Sequence, residues 1–356
     1  MPSAADETAA DETAADEIAA AIEAAGGALR FDRFLDLALY GEHGFYTGAG
    51  RAGRRGDFIT SPEVGPLFGT VLAEWIRTEY ERLGRPDDFT VFEVGAGPGT
   101  LARSITNAWA AAPHRHPHHY VAVELSAAQR ESHPEHVRSV AEVPTGSLTG
   151  VIIANELLDN LPFRLAVFDR GWREAFVAQQ GDRFVEVLRP LDEPPVTLPP
   201  AAPSGARVPM QERVGQWVRD RMTSLQRGSM LVFDYVTPTT VEVAFMPWRA
   251  WLRTYLGHER GAHYLADPGG QDITAQVVLD QLPEPQIVRT QAQFLMLYGI
   301  DELVDEGRRN WEAAAAAPTV AAMTMRSRVR EAEALLDVAG LGGFLSMVFV
   351  APEREQ

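Results

Sequence analysis

Three places in the chain combine residue types and spacings that can do chemistry. Val91-Phe-Glu-Val94 is a short apolar run leading straight into Gly95-Ala-Gly-Pro-Gly99, after which Thr100 to Ala112 carries helical periodicity. A strand, a glycine-rich turn and a helix in that order let a cofactor approach backbone N–H groups. Glu124 closes a second apolar run, Tyr120–Val123, 25 residues after Gly99. A carboxylate so placed can accept hydrogen bonds from both hydroxyls of a ribose. Asn155-Glu-Leu-Leu-Asp159 follows a third apolar run, Val151–Ala154. Carboxylates and an amide carbonyl there suit a nitrogen nucleophile, by pairing with a guanidinium or by orienting a lone pair. The plainer readings are a solvated strand-end acid at Glu124 and a capped helix start at 155–159.

The elements that position these residues follow from periodicity. Thr90–Val94, Tyr120–Val123, Val151–Ala154 and Met230–Phe233 read as apolar strands, the last ending on Asp234-Tyr235, and they predict a parallel α/β sheet with its polar residues at the carboxyl edge. Apolar spacing predicts helices over Phe31–Tyr40, from Leu67 through Ile76, around Glu212–Leu225, Asp301–Ala316 and Ala321–Leu336, with a closing strand at Phe344–Val350. The seventy or so residues before Met230 hold a meander of Phe163–Phe168, Glu174–Val177 and Phe184–Val187, then a proline-rich run. Asp272 or Thr274 is expected to cap a helix. The expected organisation is an acidic tail or frayed helix over 1–25 and an N-terminal helical region over 26–88. A Rossmann-like core follows over 89–160 and 228–240, with an inserted α+β lobe over 161–227 and 241–280. Residues 281–356 complete the sheet.

Composition removes several chemistries. The 356 residues contain no cysteine and no lysine, all 32 cations being arginine. Disulfides, thiolate metal sites, cysteine nucleophiles, Schiff-base catalysis and a P-loop lysine are thereby excluded. Arginine-only usage suggests a GC-rich bacterial genome. The net charge of −17 argues against general affinity for nucleic acid or anionic membrane, and three Asp-Glu pairs in the repeat at 5–19 supply six of those charges. With no apolar run near the roughly 18 residues of a membrane span and no signal-peptide pattern, a soluble cytoplasmic protein is expected.

Other residues rank lower. His114, His116, His118 and His119 lie on a proline-broken connection without acidic partners, so no metal is expected there. His258 and His263 are candidate bases, and Trp248 and Trp251 read as core or interface before a cation cage.

Thr100 departs from the dinucleotide pattern, which places glycine or alanine there; G-x-G-x-G after Glu93 instead resembles motif I of S-adenosylmethionine-dependent methyltransferases. The resemblance then becomes specific. Gly56-Asp-Phe-Ile-Thr-Ser-Pro-Glu63, Glu93–Leu101, Ala154-Asn-Glu-Leu-Leu-Asp-Asn-Leu-Pro162, Phe233-Asp-Tyr235, Pro268-Gly-Gly-Gln-Asp-Ile-Thr274, Thr290-Gln-Ala-Gln-Phe294 and Gly342-Gly-Phe344 stand in the order of the MidA family, which includes the mitochondrial complex I assembly factor NDUFAF7. What the resemblance implies is a class I S-adenosylmethionine-dependent methyltransferase fold and methyl transfer to a protein arginine, with a complex I-type subunit as the acceptor and a second copy of the chain as a candidate partner. It assigns Gly95, Ala96, Gly97, Pro98, Gly99, Glu124, Leu125, Thr60, Ser61 and Asn155 to the cofactor, and Glu156, Asp159 and Asp57 to catalysis on the acceptor side. The alternatives are a small-molecule O- or N-methyltransferase and a non-catalytic assembly factor that binds the cofactor.

Overall fold

The computed structural model describes residues 12–47, 60–110, 119–256, 259–317 and 319–352. Asp57, His114, His116, His118 and His258 lie outside the described residues, as does most of the acidic repeat.

Seven strands form the main sheet, numbered along the chain: β1 Thr90–Val94, β2 His119–Val123, β3 Arg138–Val140, β4 Leu148–Asn155, β5 Leu225–Asp234, β6 Ile287–Thr290 and β7 Leu345–Val350. Their order across the sheet is β6-β7-β5-β4-β1-β2-β3. All pairings from β5 to β3 are parallel, while β7 runs antiparallel to both β5 and β6. The central strands are unbroken apolar runs because both faces are covered. Along β4, Val151 and Ile153 join Phe68, Leu72, Trp75, Leu101 and Ile105 in one core, whereas Ile152 and Ala154 join Val214 and Val218 in another. Helices Pro66–Arg82 and Thr100–Ala110 thus cover one face and helix Glu212–Ser224 the other.

The chain leaves the carboxyl end of β4 through a 3-10 turn, Leu158–Asn160, into an antiparallel sheet. Strands Arg164–Phe168, Trp172–Gln180, Arg183–Pro190 and Arg207–Met210 build it, and Leu29–Arg30 from the N-terminal region pairs with Trp172–Gln180. Phe31, Phe34, Phe163, Trp251 and Tyr264 fill the core beneath it. A second departure, after β5, forms the strand Leu252–Leu256, paired antiparallel with Glu259–Arg260 and Asp272–Ala275.

That last strand corrects the expectation of a helix start at Asp272 or Thr274. Ile273 and Ala275 point inward while Asp272 and Thr274 stay partly exposed, and the antiparallel pairing with Leu252–Leu256 fixes the segment as a strand.

Candidate functional site

The turn after β1 is shaped by backbone conformation. Gly95, Gly97 and Gly99 have φ of 75°, 54° and 77°, the left-handed region that L side chains rarely adopt. The N–H groups of Gly95 and Ala96 donate to the carbonyl of Val123 at 2.9 and 3.1 Å, tying the turn to the end of β2. The Glu124 carboxylate accepts from the Gly97 N–H and from the Ser126 N–H, each at 2.9 Å. Beneath the turn, Glu93 is buried and accepts from the Tyr120 hydroxyl at 2.8 Å. Burial pushes its carboxyl up to about 8, against the opposing hydrogen bonds from Tyr120 and the Ala102 backbone.

A cleft opens over this turn. Gly95, Ala96, Gly97 and Pro98 line it together with Thr60, Glu63 and Asn155. Thr60 is held at a helix start, its N–H donating to the Glu63 carboxylate at 3.2 Å.

A second cleft, of about 690 Å³ counted to its mouth, adjoins the first and shares Thr60 with it. Consecutive residues of one strand end divide the two: Asn155 faces the first and Glu156 the second. Glu156, Asp159 and Asp272 bring three carboxylates to the second cleft, and among the described residues Arg253 brings a guanidinium to the same lining. Aromatic walls come from Phe45, Tyr46, Tyr235, Trp251 and Tyr255. The Tyr46 hydroxyl donates to Asp272 Oδ1 at 2.9 Å, and Asn160 Nδ2 reaches the same oxygen at 3.3 Å. Arg253 lies 5.7 Å from the Tyr235 ring centroid.

Glu156 stands in the left-handed region, φ 49°, which costs a residue with a Cβ about 1 kcal/mol or more. The end of β5 holds it there. The Glu156 N–H donates to the Phe233 carbonyl at 2.9 Å, and the Asp234 carboxylate accepts from the Leu158 N–H at 2.9 Å and the Tyr235 N–H at 2.8 Å. Burial, reinforced by the neighbouring Glu156, raises the Asp234 carboxyl to about 8.

The residues singled out in the sequence therefore fall in several places. Gly95, Ala96, Gly97, Pro98, Thr60 and Asn155 line the first cleft, and Glu156 and Asp159 the second. Glu124 joins the first through its bond to Gly97. Gly99 packs against His133, where an added Cβ would lie 3.0 Å from the ring, and Leu125 is 58% exposed. Ser61 is fully buried and donates to Gln291 Oε1 at 2.8 Å, away from both cleft linings. Asp272, Tyr46 and Arg253 were not assigned to the site from sequence. The Pro268–Thr274 motif was the available signal for Asp272, but its chemical role was hidden by the expectation of a helix cap.

The strand order, the single antiparallel β7, the glycine turn and the carboxylate after β2 together define a class I methyltransferase fold. Residues 71–298 match the family described as "Putative S-adenosyl-L-methionine-dependent methyltransferase", and the chain belongs to that family. A protein from Burkholderia thailandensis crystallised with bound S-adenosyl-homocysteine superposes with a TM-score of 0.79 at 27% identity, covering 95% of this chain and 91% of that one. Among curated proteins, the mouse protein arginine methyltransferase NDUFAF7 is 26% identical over 283 residues, covering 66% of this chain. The match spans 60% of the mouse protein's length. The Drosophila melanogaster homologue is 44% identical over 62 residues, 17% of this chain.

S-adenosylmethionine is the cofactor of this family, and the first cleft fits it. The Asn155 Oδ1 atom is buried there without a partner, an acceptor that a ligand donor would satisfy. The glycine turn supplies close backbone approach: a Cβ on Gly97 would already stand 3.3 Å from Gln129 Oε1.

Proposed function

We propose that this chain transfers a methyl group to the guanidinium of an arginine in a protein acceptor. The observation that carries the reading is the second cleft, in which three carboxylates and a ring of aromatics meet where Thr60 and the Asn155–Glu156 step join it to the cofactor cleft. The names of the mouse and fly relatives support a protein arginine as acceptor. The sequence resemblance extends this to a subunit of a complex I-type enzyme, and the composition supports a bacterial cytoplasm as the setting of the reaction.

S-adenosylmethionine supplies an electrophilic methyl on a sulfonium that leaves as a neutral thioether. The protein's work is positioning. Glu156 and Asp159 hold the planar guanidinium as a fork, leaving one terminal nitrogen turned toward Thr60 and the first cleft. A carboxylate of that pair takes the proton which the nitrogen releases on gaining its methyl, so the product keeps a single positive charge. Aromatic walls exclude water, which strengthens the carboxylate–guanidinium attraction. The antiparallel sheet over 164–210, together with the strands Leu252–Leu256 and Asp272–Ala275, forms the lobe that admits the acceptor.

The test is incubation of the full chain with methyl-labelled cofactor and an extract of its source organism, followed by mass spectrometry of labelled proteins. N-methylated arginine in a discrete protein is the expected result. Label confined to small molecules would replace the reading with a small-molecule methyltransferase, and no label with intact cofactor binding would leave an assembly factor.

A further inference from the structure

A second opening lies on the other side of the strand Leu252–Leu256. That strand is a partition: Arg253 and Tyr255 line the acceptor cleft, as does Trp251 just before the strand, whereas Leu252 and Thr254 line the neighbouring one. Arg253 reaches both. Among the described residues the neighbouring cleft is lined by Arg253, Arg249 and Arg260 together with Trp248 and His263, and by no carboxylate; Glu186 stands behind Tyr264, accepting from its hydroxyl at 2.7 Å and pairing with Arg207. Three guanidinium groups without an acid among them are out of character for a chain of net charge −17. None of the three forms an ion pair among the described residues, although thirteen other pairs are present. Arg249 lies 4.8 Å from the Trp248 ring centroid, so its guanidinium is supported by stacking rather than by an acid.

We propose that this arginine-lined cleft binds an acidic stretch of the acceptor protein that flanks the methylated arginine. The inference rests on the protein-arginine reading given above. Because Arg253 borders both openings, a polypeptide with its arginine in the first cleft has its neighbouring residues within reach of the second. The two clefts carry opposite charge, so they select a sequence in which a cation and a cluster of carboxylates lie close together. Each guanidinium offers the planar fork that matches a carboxylate. A nucleic acid is the poorer fit, since three arginines on a strongly acidic chain do not make the extended positive surface that a phosphate backbone requires.

The experiment is fluorescence anisotropy with the full chain saturated in S-adenosyl-homocysteine. The probe is a fluorescein-labelled peptide carrying three glutamates beside one arginine, compared with the same peptide in which glutamine replaces glutamate. The glutamate peptide is expected to bind about tenfold more tightly at low salt, with the difference shrinking as ionic strength rises. Arg249→Gln combined with Arg260→Gln should weaken the glutamate peptide about fivefold and leave the glutamine peptide and the S-adenosyl-homocysteine affinity unchanged. Equal binding of the two peptides, or no effect of the double substitution, overturns the proposal. So does tighter binding of a single-stranded oligonucleotide of equal charge, or a tenfold gain in peptide affinity on deleting residues 1–11, which would make the chain's own acidic segment the occupant. When S-adenosylmethionine replaces S-adenosyl-homocysteine, equal methyl transfer to both peptides without discrimination in binding sinks the docking site alone; discrimination in binding without any methyl transfer leaves an acidic-peptide site and sinks the arginine reading.

Discussion

Glu124 and Gly97 are joined by a 2.9 Å hydrogen bond from the Gly97 N–H to one carboxylate oxygen, while the other oxygen accepts from Ser126. The acid at the end of β2 thereby fixes the summit of the glycine turn and presents its remaining lone pairs beside the cofactor cleft. Glu124→Ala removes both acceptors at once. Its affinity for S-adenosyl-homocysteine, measured by isothermal titration, should fall at least about tenfold, or roughly 1.4 kcal/mol. Unchanged affinity would take Glu124 out of cofactor binding.

Gly97→Val tests the turn itself. Its φ of 54° is strained for a β-branched residue, and the new side chain would crowd Gln129. The folded chain should lose about 1–2 kcal/mol and all measurable cofactor binding. A variant that melts cooperatively and still binds would show that the cofactor lies elsewhere.

Glu156 separates a chemical role from a structural one. Glu156→Gln should keep S-adenosyl-homocysteine affinity while turnover falls by a factor of about 100 or more. Glu156→Gly should be as inactive yet melt no lower than the parent, because glycine tolerates the φ of 49°. Full turnover in Glu156→Gln would remove the residue from the mechanism.

Two buried carboxyls make stability depend on pH. Glu93 and Asp234 are each held up to about 8, from ordinary values of 4.5 and 3.8. Between about pH 4 and 8 the folded chain keeps protons that the unfolded chain has released, so stability falls as pH rises through that window and levels off above it. Thermal melts should give a lower Tm at pH 9 than at pH 6. Glu93→Gln and Asp234→Asn should each flatten the difference, and a parent chain with equal Tm at both values would contradict it.

Legibility in the sequence tracked burial. β1, β4 and β5 stood out because both of their faces are covered, which forces unbroken apolar runs. β3 and β6 did not, being edge strands of three and four residues with mostly exposed side chains. The glycine turn was readable because its glycines, strand and helix are adjacent in sequence. The second cleft was not, because Tyr46, Glu156, Tyr235 and Asp272 are brought together only by tertiary packing. Asp272 shows the limit most clearly: four residues are too few to distinguish a period of two from one of 3.6, and only the pairing with Leu252–Leu256 decides it.

The placement of β7 between β5 and β6 sets an order of assembly during synthesis. β6 emerges first but has no seat on the sheet until β7 has followed it, since β7 supplies its hydrogen-bonding partners. Until then the apolar flank of β5, with Met230 and Val232, waits unpaired. The half of the sheet that carries the glycine turn and the Glu156 turn can form early, whereas the β7 flank that pairs with Asp234 closes late. A nascent chain of this kind passes through a stage with an open hydrophobic strand edge, the species on which holdase chaperones act and from which aggregation starts.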